Sequence, residues 1–564
     1  MPTSPSPAGP PPKPQSDFRV FSAASAGQTF YLIESTAPDA VEQSLEPGFT
    51  PPVLVPVDPD QAVEDIATFL TPEGRPEVDA NLVVMVHGFN NPRSSVLNFY
   101  NAALHALNDD AATLFDDDRK IVCIGYRWPS ERIGSILSSS LSALPVFPLI
   151  LLIVALLIVA ASVWVVQLGL RMTDLWQPDL ARNVGWLIAL DSFVLVLAII
   201  LLAILRAIVY FRDVYRATNF GVPDLVEVIR QIDRAAVERV RGISAAEEPR
   251  RNRIALSFIG HSMGGLVVTN AIRILSDVFD PAVIRTTLSG KIEGRPIDRP
   301  DASERVTGKI GHVFTLMRFV LASPDIPAET LLAGRANFLA SALRRFREAY
   351  LFSSEGDVVL RLISTTVNYF SFPTRTRPYG YRLGNAEILT SGFDAGQQFE
   401  PLSTVRVGSE KLIDLAGKMT PINDDAGQVA ATFSYFDCTD YVEGTPPRGM
   451  LTEALDRKRN NPMGALSYAD YLRLLLRYLL RGKLHIDVHG GYFQGETTRR
   501  LIYRLACLGF GGAAQAYGGP DSMLQTCSQR QIRVLLSTGL LRKPSDTRAS
   551  FSEAREKMDL GPAR

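Results

Sequence analysis

The sequence predicts an α/β protein in which a mostly parallel, doubly wound sheet is covered by helices on both faces. Two observations predict this class. Short apolar runs typical of buried strands alternate with segments of helical periodicity, and glycine-containing turns follow two of those runs. With 564 residues, the chain is long enough for a large core with insertions. A net charge of −1 gives no indication of nucleic-acid binding through bulk electrostatics.

The first part of this α/β domain is expected over residues 17–142, after a proline-rich tail at residues 1–16. The tail is predicted to be disordered and lacks the pattern of a secretory signal. Two short strands are predicted in "FRVFSA" and "TFYLIES", followed by a buried strand in "NLVVMVHGFNN". The spacing of apolar residues then predicts a helix in "PRSSVLNFYNAALHALND" and another strand in "KIVCIGYRWPS".

Residues 143–210 predict a transmembrane hairpin of two helices. No charged residue occurs from Ile133 to Leu170, and a second apolar run from Asn183 to Leu205 contains one charged residue, Asp191. A membrane span needs about 20 apolar residues, so both runs are long enough. Because a carboxylate at the bilayer centre costs at least ~2.5 to 3.5 kcal/mol, Asp191 is expected at the interface. The second span is therefore expected over roughly residues 187–209.

Arginines predict the orientation of the hairpin. The turn between the spans contains Arg171 and Arg182, whereas five arginines lie near the outer ends: Arg127, Arg132, Arg206, Arg212 and Arg216. The positive-inside rule therefore favours a membrane protein whose main body is cytoplasmic.

The second part of the α/β domain is expected over residues 211–510. A helix in "LVEVIRQIDRAAVERV", a strand in "RIALSFIG" and a helix in "MGGLVVTNAIRILSDVF" continue the alternation. The hairpin is then an insertion in the crossover between one strand and the next helix. Residues 511–564 are expected to form a C-terminal extension, with a short helix in "RQIRVLLSTGLL" and a polar tail.

Ser262 in "FIGHSMGGLVV" has the spacing of a nucleophile. A Gly-x-Ser-x-Gly pattern between a strand and a helix is typical of a nucleophile elbow, and Gly260 and Gly264 leave room for its sharp turn. The N–H groups at the start of the following helix favour negative charge. The turn after the strand "NLVVMV" can present the N–H of Phe89. Together with the N–H of Met263, it would form an oxyanion hole with two donors.

The sequence resembles the α/β-hydrolase superfamily, and within it a little-characterised bacterial family with HGFN and GHSMGG motifs. The resemblance extends over residues 81–493, apart from the hairpin and a segment around 370–430. The matching stretches are "VHGFNN", "GYRWPS", "GHSMGG", "LASPDIP", "YLFSSEGDVVLRL" and "HGGYF". The resemblance implies the α/β-hydrolase fold and a serine hydrolase, and it implies little about the natural substrate.

In that fold the acid and the histidine follow the serine in the chain. The stretch "AYLFSSEGDVVL" reads as a strand that ends in a turn at Asp357, where the resemblance also places the acid. Asp325, after the strand in "HVFTLMRFVLASPD", remains the alternative. Of six histidines, His485 and His489 remain as candidates for the base. The resemblance of "HGGYF" to the histidine loop of the family favours His489.

The expected chemistry is hydrolysis of acyl esters or thioesters through an acyl-enzyme on Ser262, with His489 as base and Asp357 as its partner. No metal ion or organic cofactor is expected, because the histidines, cysteines and acidic residues show no ligand spacing. The four cysteines are expected to be reduced thiols. The expected partner is the lipid bilayer, which would favour lipid substrates. The alternative is a catalytically silent fold that serves as a membrane-tethered interaction module.

Overall fold

The computed structural model describes most of the α/β core and leaves several connections undescribed. The described residues are 18–25, 28–36, 54–72, 79–89, 91–115, 119–130, 210–243, 254–276, 308–332, 345–365, 380–389, 401–408, 410–418, 426–453, 465–479 and 485–537, with a few single positions and short pieces between them.

An 11-stranded sheet forms the centre of the described structure. Its strands are β1 (Phe18–Ser25), β2 (Gln28–Ser35), β3 (Val55–Val57), β4 (Asp79–Val86), β5 (Arg119–Arg127), β6 (Ile254–His261), β7 (Lys309–Ile310), β8 (Phe314–Ala322), β9 (Glu348–Ser353), β10 (Phe433–Asp437) and β11 (Arg533–Leu535). The spatial order is β11-β10-β9-β8-β6-β4-β5-β2-β1-β3, and β7 pairs with β8.

The strands from β10 to β2 in this order run parallel to one another. The outer strands β11, β1 and β3, together with β7, pair antiparallel. The prediction of an α/β protein with a mostly parallel sheet is therefore confirmed. Parallel neighbours require crossover connections, and helices supply them on both faces.

The principal helices are α1 (Pro59–Leu70), α2 (Arg93–Asp109), α3 (Ala111–Leu114), α4 (Val222–Ile243), α5 (Met263–Leu275), α6 (Pro401–Thr404), α7 (Leu412–Lys418), α8 (Ala426–Thr432), α9 (Tyr468–Leu479), α10 (Glu496–Ala516) and α11 (Pro520–Gln529). The described residues also include two π-helical segments (Ala217–Gly221 and Val359–Ser364) and three 3₁₀ turns (Ala328–Leu331, Leu383–Asn385 and Gly491–Phe493). Three small sheets contain the strands Ala386–Ile388, Val405–Val407 and Glu410–Lys411; Val442–Glu443 and Arg448–Gly449; and Lys291–Ile292 and Arg295–Pro296.

Two hydrophobic cores lie on opposite faces of the sheet. Helices α1, α4 and α5 contribute to one core, and helices α2, α10 and α11 contribute to the other. Strand β4 shows why both faces are covered, since Leu82 and Val84 enter the first core while Val83 and Met85 enter the second. Successive side chains of a strand point to opposite faces, so a continuous apolar strand needs a helical layer on each side.

One predicted element is wrong. The stretch "RQIRVLLSTGLL" was expected to contain a short helix, but the helix before it ends at Gln529, and Arg533–Leu535 form β11 instead. The physical reason is that the edge of β10 is available for pairing with another strand. Val534 and Leu535 are buried there and pair with Phe436 and Tyr435. Within the predicted C-terminal extension, Arg533–Leu535 thus form an outer strand of the central sheet.

The two predicted membrane spans lie outside the described residues, apart from single positions. Within the part of the chain that the structure describes, no helix is both long and apolar enough to cross a membrane. Trp186, Leu190 and Phe193 are described as helical and exposed. Residues 131–209 are thus preceded by Ser130, three residues after β5, and followed by Tyr210, which is helical.

Candidate active site

The residues of the candidate site lie where neighbouring strands of the central sheet end. Gly88 follows β4, Ser262 follows β6, Ser323 follows β8 and Asp357 lies in the turn after β9. These strands are neighbours and parallel, so their carboxyl ends share an edge. In open α/β sheets, ligands bind outside the carboxyl ends of the strands.

Ser262 has the backbone conformation of a sharp elbow. Its φ of 54° and ψ of −127° place a non-glycine residue in a rarely occupied region. Three backbone hydrogen bonds hold it there. The Ser262 N–H donates to the Ala322 carbonyl at 3.0 Å, and its own carbonyl accepts the N–H groups of Gly265 at 3.0 Å and Asp325 at 3.1 Å. Strain of this kind persists only where the surroundings enforce it, which is typical of functional sites.

Glycines around the elbow allow close approaches of backbone. A β-carbon at position 264 would lie 2.3 Å from the carbonyl oxygen of Val86 and 2.6 Å from that of His87. One at position 260 would lie 2.7 Å from the α-carbon of Gly265. Helix α5 can therefore start directly against the end of β4 because position 264 carries no side chain, and it can follow β6 closely because position 260 carries none.

The turn after β4 passes beside Ser262. A β-carbon on Gly88 would lie 2.7 Å from Cβ and 3.2 Å from Oγ of Ser262. The next N–H in this turn belongs to Phe89. The N–H of Met263 belongs to the first residue of α5, where no intrahelical acceptor exists. The structure thus brings both predicted oxyanion donors into the segments that flank Ser262.

Trp128 fixes the conformation of this turn. Its ring stacks on His87 with centroids 5.3 Å apart, and its Nε1–H donates to the His87 carbonyl at 2.8 Å. The Nδ1 of His87 bonds the Gly88 carbonyl at 2.7 Å. Burial lowers the pKa of His87 to about 3, so this imidazole is neutral and serves to hold the turn.

Asp357 and His489 form a buried pair. The Nδ1–H of His489 donates to Oδ2 of Asp357 at 2.7 Å. The other oxygen, Oδ1, accepts the N–H groups of Val359 at 3.0 Å and Leu360 at 3.1 Å. The Ser323 hydroxyl also donates to Oδ2 of Asp357. Four donors thus hydrogen-bond to the Asp357 carboxylate. Because Nδ1–H of His489 is one of them, the imidazole is held in the tautomer that carries its hydrogen on Nδ1.

The environment favours the protonated form of His489. Burial opposes a charge on its ring, but the charge of Asp357 and the hydrogen bond that His489 donates to Asp357 outweigh burial, so the pKa of His489 is raised above its ordinary value. The carboxylates of Asp487 and Asp325 act in the same direction. A histidine stabilised as imidazolium is suited to accept a proton from a hydroxyl.

Two polar atoms at the centre of the site have no hydrogen-bond partner within the described structure. They are Oγ of Ser262 and Nε2 of His489, and both are buried. His261 links the elbow to the histidine loop, because its Nε2 bonds the His489 carbonyl at 3.1 Å and the two rings lie 5.0 Å apart. Burial lowers the pKa of His261 to about 3, so it adds no positive charge beside His489.

The structure also places the two alternative candidates. Asp325 is paired with Arg382, at 2.9 Å between Nε and Oδ1, and accepts the Tyr210 hydroxyl at 2.8 Å. The ring of His485 lies 6.2 Å from that of Tyr478. The hydrogen-bonded pair of carboxylate and imidazole in this site is therefore Asp357 with His489.

Sequence reasoning missed Ser323 and His261 as parts of this site. Ser323 has a φ of 48° and follows the strand next to the nucleophile strand, so its position at a parallel strand end was the available signal. His261 was read only as part of the elbow. Its bond to the histidine loop connects residues 228 positions apart, which no local pattern reveals.

Comparison of the chain with models of protein families, with curated proteins and with solved structures found no match. Function is therefore inferred from the geometry of the site itself. Within the described residues, no group of three or more histidine, cysteine, aspartate or glutamate side chains is arranged to hold a metal ion. The four cysteines are free and buried.

Proposed function

We propose that the protein is a serine hydrolase of the α/β-hydrolase superfamily, with Ser262, His489 and Asp357 as its catalytic triad. The observation that carries this proposal is the bond from His489 to Asp357 at the sheet edge where Ser262 occupies a strained elbow. The unpartnered Oγ and Nε2 atoms supply the two groups between which a proton must move. A triad is recognised by such geometry and roles, which recur on unrelated folds.

In this mechanism, His489 Nε2 takes the proton of Ser262 as the hydroxyl oxygen attacks an acyl carbonyl. The carbon–oxygen bond to the enzyme forms, and the carbonyl becomes a tetrahedral oxyanion. Collapse of this intermediate expels the leaving group, which takes the proton back from His489. Water then attacks the acyl-enzyme by the same steps and releases the acid. Asp357 holds the imidazole and stabilises its positive charge throughout.

The N–H groups of Phe89 and Met263 are proposed to stabilise the oxyanion. Loss of one such donor in other enzymes costs about 2.7 to 4 kcal/mol of transition-state stabilisation. Both residues are close to Ser262 along the chain or in space, which supports this role: a β-carbon on Gly88, the residue before Phe89, would lie 3.2 Å from Oγ of Ser262, and Met263 is the first residue of α5.

We further propose that residues 143–210 anchor the enzyme in a membrane, with the catalytic domain on the cytoplasmic side. Support comes from the two apolar runs and the arginine bias of the sequence. Three described helical positions in this region, Trp186, Leu190 and Phe193, are spaced as one helix face and are all exposed. Large apolar side chains on one exposed face favour contact with lipid.

The proposed substrate class is acyl esters or thioesters, with preference for those resident in a membrane. The inserted segment starts after Ser130, just beyond β5, and β5 ends at the sheet edge that carries the site. An anchor at this edge would raise the effective concentration of an interfacial substrate and would not help a soluble one. Turnover of phospholipid or acylglycerol in mixed micelles, compared with a short p-nitrophenyl ester, tests this preference. Exclusive turnover of the short ester, also after reconstitution into liposomes, would contradict it.

The decisive experiment for the reaction class is labelling with a fluorophosphonate probe, which forms a covalent bond with an activated serine. The wild-type protein should be labelled, and Ser262→Ala should not. Ser528→Ala, which changes an exposed serine on α11, is the matched control and should be labelled like the wild type. Absence of labelling in folded wild-type protein would favour the silent interaction module instead.

A further inference from the structure

Ser130 and Tyr210, the described residues on either side of segment 131–209, both contact the same turn of the candidate site. On the outgoing side, Ser130 Oγ accepts the N–H of Asn91 at 3.0 Å. On the returning side, the ring of Tyr210 packs edge-on against that of Phe89, with centroids 5.6 Å apart. Phe89 and Asn91 both belong to the turn that is proposed to supply the oxyanion hole. This turn is therefore held by residues on each side of segment 131–209.

Tyr210 also reaches the nucleophile elbow. Its hydroxyl donates to Oδ2 of Asp325 at 2.8 Å, and the backbone N–H of Asp325 donates to the Ser262 carbonyl at 3.1 Å. One side chain thus contacts the oxyanion turn through its ring and, through its hydroxyl, contacts Asp325, whose backbone bonds the elbow.

The surroundings of this contact are buried and charge-balanced. Tyr210 is 4% exposed, Asp325 1% and Arg382 3%. Arg382 pairs with Asp325 at 2.9 Å and donates from Nη2 to the Tyr210 hydroxyl oxygen at 3.2 Å. The Ser364 hydroxyl donates to Asp325 at 3.2 Å. A buried network whose opposite charges are paired holds its members in one arrangement.

The helical segment that contains Tyr210 is held at a second position. A β-carbon on Gly221 would lie 2.8 Å from Cβ of Trp128, the residue that stacks on His87. The Tyr126 hydroxyl donates to the Gly221 carbonyl at 2.7 Å. The segment that contains Tyr210 is thus fixed at both Tyr210 and Gly221. We therefore expect a change at Tyr210 to shift the turn that contains Phe89.

We propose that Tyr210 is a positioning residue for acyl transfer, which aligns the oxyanion turn with the nucleophile elbow through Phe89 and Asp325. This inference rests on the proposed hydrolase function and adds a residue to which neither the triad nor the oxyanion hole assigns a role. Tyr210 touches no reacting atom in this mechanism. Tyr210 instead sets the position of the Phe89 N–H relative to Ser262. The energy of the transition state depends on this position more strongly than substrate binding does.

The test is Tyr210→Phe in the full-length, detergent-solubilised protein. This change removes the hydroxyl bond to Asp325 and keeps the ring against Phe89. Tyr215→Phe is the matched control, because Tyr215 lies on the same helical segment and is 61% exposed. Active sites are titrated with the fluorophosphonate probe, and kcat and KM are measured for a short p-nitrophenyl ester. We expect kcat per titrated site to fall about 10- to 100-fold in Tyr210→Phe, with KM within about twofold of the wild type.

The control should keep the kcat of the wild type. If Tyr210→Phe retains a kcat per titrated site within about twofold of Tyr215→Phe, the proposal is overturned, even if its melting temperature is lower. Tyr210→Ala, which also removes the ring from Phe89, should lower kcat per site further, and a value equal to that of the wild type would overturn the proposal as well. Labelling of the wild type at Ser262 is independent of these outcomes, so failure of this inference is distinguishable from failure of the proposed function.

Discussion

Replacement of Asp357 by asparagine tests the triad most sharply. In the structure, Oδ1 of Asp357 accepts two backbone N–H groups and Oδ2 accepts Nδ1–H of His489 and the Ser323 hydroxyl. An asparagine would keep its oxygen towards the backbone donors and turn its NH₂ group towards His489. An amide NH₂ only donates, so Nδ1 of His489 would have to become the acceptor and its proton would move to Nε2. Nε2 is the atom that must accept the proton of Ser262.

The expected loss follows from this change of tautomer. The shape of the site is kept, because the two side chains are nearly the same size, while the base is blocked. Such a change in a serine triad lowers kcat by about 10⁴-fold, which corresponds to about 5 kcal/mol of activation free energy.

The pH dependence has a definite sign. His489 must be neutral to act as base, so wild-type kcat/KM should fall as the pH drops through its raised pKa. Without the charge of Asp357, burial dominates and lowers the pKa of His489. The acid limb of the residual activity in Asp357→Asn should therefore move to lower pH.

The assay is hydrolysis of a short p-nitrophenyl ester between pH 4 and 9, with circular dichroism to show that the variant is folded. Asp325→Asn is the comparison, since Asp325 is bonded to Arg382 and Tyr210 rather than to Nδ1 of His489. A larger loss of kcat in Asp325→Asn than in Asp357→Asn would refute the assignment of the acid.

Three further predictions follow from the same structure. Ser323→Ala removes a donor from the buried Asp357 carboxylate and should cost about 1.5 to 3 kcal/mol of unfolding free energy by chemical denaturation, and no loss would contradict the bond. Gly264→Ala should lower the melting temperature and abolish probe labelling, because its methyl meets backbone oxygens, whereas Gly417→Ala meets nothing within 4 Å and should be neutral or stabilising by up to about 1 kcal/mol. A cysteine near position 174 should react with an impermeant thiol reagent in intact cells while one near position 216 should not, and the reverse pattern would refute the orientation.

The order of the central strands and helices along the chain was predictable, because each has its own local pattern of apolar residues. Strand β4 is a continuous apolar run, and α2 shows helical spacing of its buried positions. The elbow was predictable for the same reason, since glycine, serine and glycine lie within five residues of one another. The edge strand β11 was not predictable. Its three residues resemble a helix end by local pattern, and only the free edge of β10 makes them a strand.

By itself, the sequence determined which residues could be nucleophile, acid and base, and it favoured Asp357 and His489 among the candidates. Only the tertiary structure decided how they meet. The bond from His489 to Asp357 joins residues 132 positions apart, and that from Tyr210 to Asp325 joins residues 115 apart. Local motifs report backbone preferences and hydrophobic periodicity, which act over a few residues. Contacts between residues at the carboxyl ends of the strands depend on the order of the strands in the sheet. This order is set by the packing of the whole sheet.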